Sequence, residues 1–324
     1  SMTTTGAIEA VLRVGGLQLP ALMGRLERRL TEIAEADGPA IAAPAGSTIA
    51  AGGKRLRPLL VYLAAGDAPG RETQLVRAAT AVELIHSATL VHDDVIDRAE
   101  LRRGRPSVVA ASGRSVATAT GDLLFARAFS ELTLNDRLDE IRVLSAASSA
   151  LARGELMQRD DAFNTAITVD RYLERCELKT ARLFAAACEL GALEGGGPVD
   201  VLSGFGRRIG LAFQLLDDVL DVSGPPERTG KPRGTDLLDG TVTLPLILAR
   251  EHDPSLAEVE LRALSGPADA HAVCERIAAT GALEEARDRA LQMVAAAKAE
   301  LPALQDGQRA ALELVADSVV DRYS

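Results

Sequence analysis

Tryptophan is absent from this 324-residue chain, and phenylalanine and tyrosine supply an aromatic fraction of only 3%. Ala, Leu, Arg and Glu dominate instead, residues that lose little rotamer freedom in a helix, so the composition predicts an all-α fold. Cysteine is limited to Cys176, Cys188 and Cys274, an odd number with no CxxC spacing, which gives neither a disulfide framework nor a zinc site. No run of about 18 apolar residues occurs, so nothing reads as a membrane-spanning helix. The opening residues lack the charged, apolar and small-residue succession of a secretory signal, and a reducing, cytoplasmic setting is expected. Ser1-Met2 reads as a remnant ahead of a native start, with residues 1–7 expected to lie outside the fold. Excess basic charge is missing too. The 36 Lys and Arg against 46 Asp and Glu leave a formal charge of -10, which argues against a nucleic-acid partner. A small anion such as a diphosphate is a different case, because a few local cations and bridging metal ions suffice to hold it.

What is present is 47% hydrophobic residues, ample for a buried core, with no linker or low-complexity block to divide the chain. One domain over residues 1–324 is expected. Apolar spacing over 8–36 predicts a helix, followed by a loop that runs to Gly52-Gly53-Lys54-Arg55-Leu56-Arg57-Pro58. A helix resumes over 59–65, with Pro58 near its first turn. Over 73–99 the apolar positions cover most of the circumference, which predicts a buried central helix. Further helices are predicted over 115–134, 139–158, 169–193, 200–222 and 243–251, with others after Ser255. Gly- and Pro-rich stretches at 194–198 and 223–236 break the pattern.

One internal echo stands out: DDxxD occurs at Asp93-Asp94-Val95-Ile96-Asp97 and again at Asp217-Asp218-Val219-Leu220-Asp221, each time after an apolar helical run. Helical periodicity sets Asp93 beside Asp97, and Asp217 beside Asp221, one turn apart on a shared face. Clustering carboxylates against apolar surface costs repulsion, which a hard divalent cation relieves through oxygen coordination. Magnesium fits best, since it keeps waters and accepts phosphate oxygens; two facing clusters would then clamp one diphosphate through metals. Cations follow both copies. Arg102 and Arg103 suit forked hydrogen bonds to phosphate oxygens, and Lys231 lies in the loop after the second copy.

Taken with GGKRLRP at 52–58, LIHSATLVHDDVID at 84–97, RRGRP at 102–106, GDLLFARAF at 121–129, KTARLF at 179–184, FQLLDDVLD at 213–221 and GKPRGTD at 230–236, the chain resembles the trans-isoprenyl diphosphate synthases, or polyprenyl synthetases, over nearly its whole length. That resemblance implies an isoprenoid synthase fold, mostly antiparallel helices around a deep central cavity, in a homodimer. It implies condensation of isopentenyl diphosphate with an allylic diphosphate, with magnesium as cofactor and three ions present when diphosphate is bound. It assigns isopentenyl diphosphate to Lys54, Arg57, His86 and Arg103, with Gly53 allowing close approach. The allylic diphosphate goes to Arg102, Lys179, Thr180, Gln214 and Lys231. Asp93, Asp97 and Asp217 become the principal metal ligands, and Asp94, Asp218 and Asp221 complete the catalytic motifs.

Product length is read from the residues before the first Asp cluster. At about 1.5 Å per residue, Ala88 and Thr89 lie roughly 6 to 8 Å deeper along the same helix than Asp93. Short-chain members commonly place an aromatic there, whereas this pair is small, which resembles the longer-chain enzymes and predicts a product of about C30 to C50; a geranylgeranyl or farnesyl product is the shorter alternative. Phe125 and Phe129 are candidates for a deeper floor. A long product would be released by transient membrane contact. Three other classes are weighed. A class I terpene cyclase ionises one substrate and has no use for the 53–57 pocket, a non-catalytic partner subunit commonly loses its Asp motifs, and a plain helical scaffold needs neither. Two departures from the family pattern are Ser107, where Thr is common, and Asp239-Gly240-Thr241, which replaces a more usual Gly-Lys.

Overall fold

The computed structural model describes residues 4–14, 16, 18–225 and 232–321. Its helices are, in chain order, α1 Thr4–Val14, α2 Leu19–Glu35, α3 Pro39–Ala50, α4 Leu56–Ala65, α5 Glu72–Asp97, α6 Val108–Ser112, α7 Arg114–Thr133, α8 Leu138–Asp161, α9 Val169–Cys176, α10 Arg182–Gly195, α11 Val199–Ser223, α12 Thr235–Leu238, α13 Leu244–His252, α14 Pro267–Ala278, α15 Ala282–Ala299 and α16 Gln308–Asp321. A π-helical turn, Glu177–Ala181, joins α9 to α10 without a break. Among the described residues the only strands are β1 Leu101–Arg102 and β2 Arg105–Pro106, an antiparallel pair. The expected all-α fold is thus observed.

Helix α5 is the axis of the site, and it is buried where the sequence is apolar on nearly all sides, from Leu75 to Val91. It packs along α7, while α10 lies between α4 and α11, and α11 in turn lies against α15. The apolar core is a contiguous cluster through these helices, with a satellite of Val91, Val108 and Ala117 where α6 covers α5 and α7. Burying so many Leu, Ile and Val side chains, at about 1.5 to 3 kcal/mol each, is what offsets the ordering of the chain.

Three local expectations are corrected. The helix expected over 8–36 is two helices: Gly16 takes φ 97 between them, and Pro20 falls in the first turn of α2. Helix α1 also starts at Thr4, inside the segment expected to lie outside the fold. The loop expected before Gly52 is largely helix α3, in which Pro39 occupies the first turn and Thr48 Oγ1 donates to the Pro44 carbonyl at 2.8 Å. Pro39 takes a position that needs no N–H, while Pro44 lies inside the helix.

Candidate active site

Helix α5 stops where Arg98 takes φ 53 and the Ala99 N–H donates back to the Asp94 carbonyl at 3.0 Å, a left-handed C-cap. The chain then reverses through the β1–β2 hairpin. Both residues at its tip have positive φ, Arg103 at 51 and Gly104 at 76, as a two-residue type I′ turn demands. Glycine takes that geometry freely; arginine does not, and a strained residue at a site is a pointer to use. The reversal carries Arg102 back over the helix end, where Nη2 donates to Asp94 Oδ1 at 2.6 Å and Nε to Oδ2 at 3.2 Å. Arg102 and Asp94, read separately from the sequence, are therefore partners of each other.

Asp93 and Asp97 turn the other way, toward α8. Glu155 and Arg159 on that helix bond each other at 3.1 Å, and Arg159 Nη2 reaches Asp97 Oδ1 at 3.6 Å. Lys179, from the π-helical turn, donates to Gln158 Oε1 at 2.8 Å and pairs with Glu155 Oε2 at 3.0 Å. Burial pushes the Asp93 carboxyl up to about 6, with Lys179 opposing and Glu155 and Asp97 adding to the rise. Burial also works against the Lys179 charge, but Asp93 and Glu155 outweigh it and hold the ammonium above its ordinary pKa. Gly154 makes this packing possible, since a Cβ there would stand 2.6 Å from Lys179 Cγ.

The second Asp cluster ends α11. Asp218 is buried; the Tyr172 hydroxyl donates to its Oδ2, and Gln214 Nε2 donates to its Oδ1 at 3.0 Å. Thr180 Oγ1 donates to Gln214 Oε1 at 2.6 Å, so the neighbour of Lys179 serves this second cluster. One π-helical turn thus addresses both Asp motifs with adjacent residues. Burial, followed by the nearby Asp236 charge, pushes the Asp218 carboxyl up to about 7. Asp221 is also buried, and it accepts from the Asp236 amide on Oδ2 at 3.3 Å and from the Gly234 amide on its carbonyl at 2.9 Å. Asp217 stays half-buried. Lys231 lies outside the described residues.

A separate basic pocket forms where α4 meets α5. Arg57 Nη1 lies 3.4 Å from His86 Nε2, and its guanidinium sits 4.6 Å from the Phe184 ring centroid and 5.9 Å from that of Phe213. Such stacking holds a cation in place without neutralising it. Burial first, then the positive charges of Arg57, Arg103, Arg102 and Arg55, drive the His86 pKa well below its ordinary value, so the imidazole is neutral. Gly53, at φ 79, leaves room for Arg103: a Cβ on it would collide with that guanidinium. Lys54 follows on the exposed side. Arg55, the middle cation of the same motif, is instead structural, buried and paired with Glu27 at 2.7 Å and with the buried Glu83 at 3.0 Å.

The structure therefore brings the predicted residues into two groups, one around the Asp motifs and one around His86. Ala88 lies fully buried in the core, and Thr89, half-buried, donates its hydroxyl to the Ile85 carbonyl at 3.0 Å. Glu155, Gln158, Arg159, Tyr172 and Asp236 escaped sequence reading. Phe184 and Phe213 were in plain view at the ends of KTARLF and before Gln214, but nothing local marks them as partners of Arg57. Ser107 does what a threonine would there, accepting from the Ala110 amide at 3.1 Å and donating to the Ala99 carbonyl at 2.5 Å. The 239–241 departure fits its packing: the Phe163 amide donates to the Gly240 carbonyl at 2.7 Å, and the Phe163 ring covers Gly240.

The donor set suits magnesium. Asp93, Asp97 and Asp217 offer hard carboxylate oxygens, and Asp93 carries a burial cost that a cation would relieve. Among the described residues no three His, Cys, Asp or Glu side chains close on one point as a protein-only cage would. An ion that completes its shell with water and phosphate oxygens needs no such cage.

A model of the polyprenyl synthetase family matches residues 39–279. The chain is 42% identical over 241 residues to heptaprenyl diphosphate synthase component 2 of Geobacillus stearothermophilus, covering 72% of this chain and 74% of that one. It is 36% identical over 281 residues to geranylgeranyl diphosphate synthase of Methanosarcina mazei, covering 84% and 86%. The solved structure of a polyprenyl synthase from Caulobacter crescentus, complexed with calcium and isoprenyl diphosphate, superposes with a TM-score of 0.91 at 38% identity, covering 98% of each chain.

Proposed function

This chain belongs to the polyprenyl synthetase family, and we propose that it is a magnesium-dependent enzyme condensing isopentenyl diphosphate with an allylic diphosphate into an all-trans product of about C30 to C50. The observation that carries this reading is the presence of two separately built cationic sites: the π-helical turn between the Asp motifs, and the pocket of Arg57, His86 and Arg103. A cyclase, ionising one diphosphate, has no use for the second.

In this reading Asp93, Asp97 and Asp217 hold magnesium, and Asp94, Asp218 and Asp221 support them. Bound magnesium supplies neutralisation of the charge that builds on the departing diphosphate. Lys179, Thr180 and Gln214 orient the allylic diphosphate, with Arg102 at the hairpin and Lys231 from the loop. Lys54, Arg57, neutral His86 and Arg103 hold isopentenyl diphosphate so that its double bond faces the allylic carbon. As the allylic C–O bond breaks, that double bond forms the new C–C bond, and the departing diphosphate accepts the proton then lost. Positioning and electrostatics carry the step, and no protein nucleophile is needed. The apolar interior excludes water from the cation.

Purified protein is incubated with labelled isopentenyl diphosphate, magnesium and geranyl, farnesyl or geranylgeranyl diphosphate, and products are sized by chromatography. A ladder ending at one long chain is the expected result; no incorporation with any starter sinks the reading. The length reading rests on the small Ala88-Thr89 pair, and the named relatives span geranylgeranyl and heptaprenyl enzymes. Ala88→Phe tests it directly. Because Ala88 is fully buried, Thr89→Phe, at a half-buried position, is the parallel variant. Each is expected to shorten the product by at least one isoprene unit, and unchanged length in both removes this account of length control.

A cytoplasmic homodimer is the form we propose. Leu134, Leu138 and Leu156, on and beside α7 and α8, are 54%, 65% and 66% exposed, apolar side chains that a second copy would cover. The relative named as a component 2 keeps a different second subunit as the competing arrangement, and sizing of the purified chain alone decides between them. No helix among the described residues is long and apolar enough to cross a membrane; transient membrane contact is the release route we propose for a long apolar product.

A further inference from the structure

Glu155 belongs to none of the motifs that identify the site, yet both its carboxylate oxygens are engaged by cations. Lys179 Nζ lies 3.0 Å from Oε2, and Arg159 Nε lies 3.1 Å from Oε1. Arg159 leans onward to Asp97 at 3.6 Å. Charge therefore alternates along one edge of the cleft, from Lys179 through Glu155 and Arg159 to Asp97. The side chains of Glu155 and Lys179 are each only 20% exposed, so their attraction is less screened than that of a surface pair. The approach is fixed by the backbone, because Gly154 lets the π-helical turn press against α8 directly beside Glu155.

We propose that Glu155 is a positioning residue, the resident counter-ion of Lys179, which holds the ammonium at the cleft until the allylic diphosphate takes it over. This rests on the reading of Lys179 as a diphosphate ligand. Diphosphate binding then exchanges one ion pair for another, which restrains affinity for both substrate and released diphosphate. Glu155 is not stranded by the exchange. Stripping the sole partner from a sheltered carboxylate is costly, but Arg159 remains on its other oxygen. Binding energy that would otherwise hold the ground state is kept low, which favours turnover over retention of the leaving group.

The test is calorimetric titration of the full chain with pyrophosphate in the presence of magnesium. Glu155→Gln keeps an oxygen for Lys179 and removes the charge. It is expected to bind pyrophosphate about three- to fivefold more tightly than wild type, with a parallel fall in KM for the allylic substrate and a lower kcat as release slows. The same substitution in a Lys179→Gln background is expected to give no tightening, because the effect runs through that ammonium. Equal or weaker binding by Glu155→Gln overturns the proposal, as does tightening that survives loss of Lys179. If Glu155→Gln does not fold, Glu155→Ala carries the same expectations. A wild-type protein that neither binds pyrophosphate nor incorporates isopentenyl diphosphate defeats the enzyme reading itself. A competent wild type with an unresponsive Glu155 defeats only this inference.

Discussion

The two DDxxD motifs are identical in pattern and different in surroundings. In the first, Asp94 is neutralised by Arg102 from the hairpin, and Asp97 remains exposed with Arg159 as a loose neighbour at 3.6 Å. In the second, Asp218 is held by the uncharged donors Tyr172 and Gln214, and Asp221 is sealed inside as an acceptor for the Asp236 amide. Only the leading carboxylates, Asp93 and Asp217, match in being half-buried. Helical periodicity decides which residues share a face, and neighbours from distant elements decide what each position does. The first copy pairs one carboxylate with a hairpin arginine, whereas the second commits Asp218 to Tyr172 and Gln214 and Asp221 to the α12 backbone.

Removing the leading carboxylates probes what the copies share. Asp93→Ala and Asp217→Ala are each expected to lower the rate of incorporation about a thousandfold or more, the scale on which loss of preorganised charge stabilisation acts. Neither should unfold the protein. For Asp93 the melting temperature is expected to hold or rise, because burial has already raised that carboxyl to about 6. A variant that retains activity within tenfold of wild type would strip its motif of the assigned role.

The fifth positions test the difference. Asp221→Ala removes a buried acceptor of the α12 backbone and is expected to cost about 2 kcal/mol in chemical denaturation, as well as activity. Asp97→Ala, at an exposed position, is expected to cost less than about 0.5 kcal/mol while also losing activity. Equal stability losses would make the two motifs structurally equivalent after all.

These contrasts also show where sequence reading stops. The Asp motifs, the glycine pair and the cations after them are local, and the i, i+4 rule reaches them. Tyr172, Glu155 and Arg159 meet their partners only through tertiary packing, and a lone Tyr or an acid and base one turn apart is ordinary helix surface. The π-helical turn lies inside the single helix expected over 169–193, between α9 and α10. Arg103-Gly104 hides a primed turn because asparagine, not arginine, is the usual first residue. Helix α3 is hidden because it carries one proline in its first turn and a second, Pro44, in its interior, where proline ordinarily breaks a helix.

A third group of carboxylates, at the opposite end of α5, shows what the fold does where no ligand is in prospect. Glu140, at the start of α8, is fully buried and accepts from Asn135 Nδ2 at 3.0 Å. Glu194, at the end of α10, pairs with Arg71 at 2.5 Å and lies 3.7 Å from Arg137. Burial first, then the adjacent Glu194 carboxylate, pushes the Glu140 carboxyl up to about 8. The folded protein thus holds a proton between about pH 4.5 and 8 that the unfolded chain gives up, and stability falls as pH rises through that window. Glu140→Gln keeps a donor toward Glu194 and removes the titration. Denaturation at pH 5, 6.5 and 8 is expected to show wild type losing about 1 to 3 kcal/mol that the variant keeps, and parallel profiles would remove the proton from Glu140. Asp93 is raised less, to about 6, because the Lys179 ammonium opposes the effect of burial there, whereas Glu140 meets a second carboxylate instead.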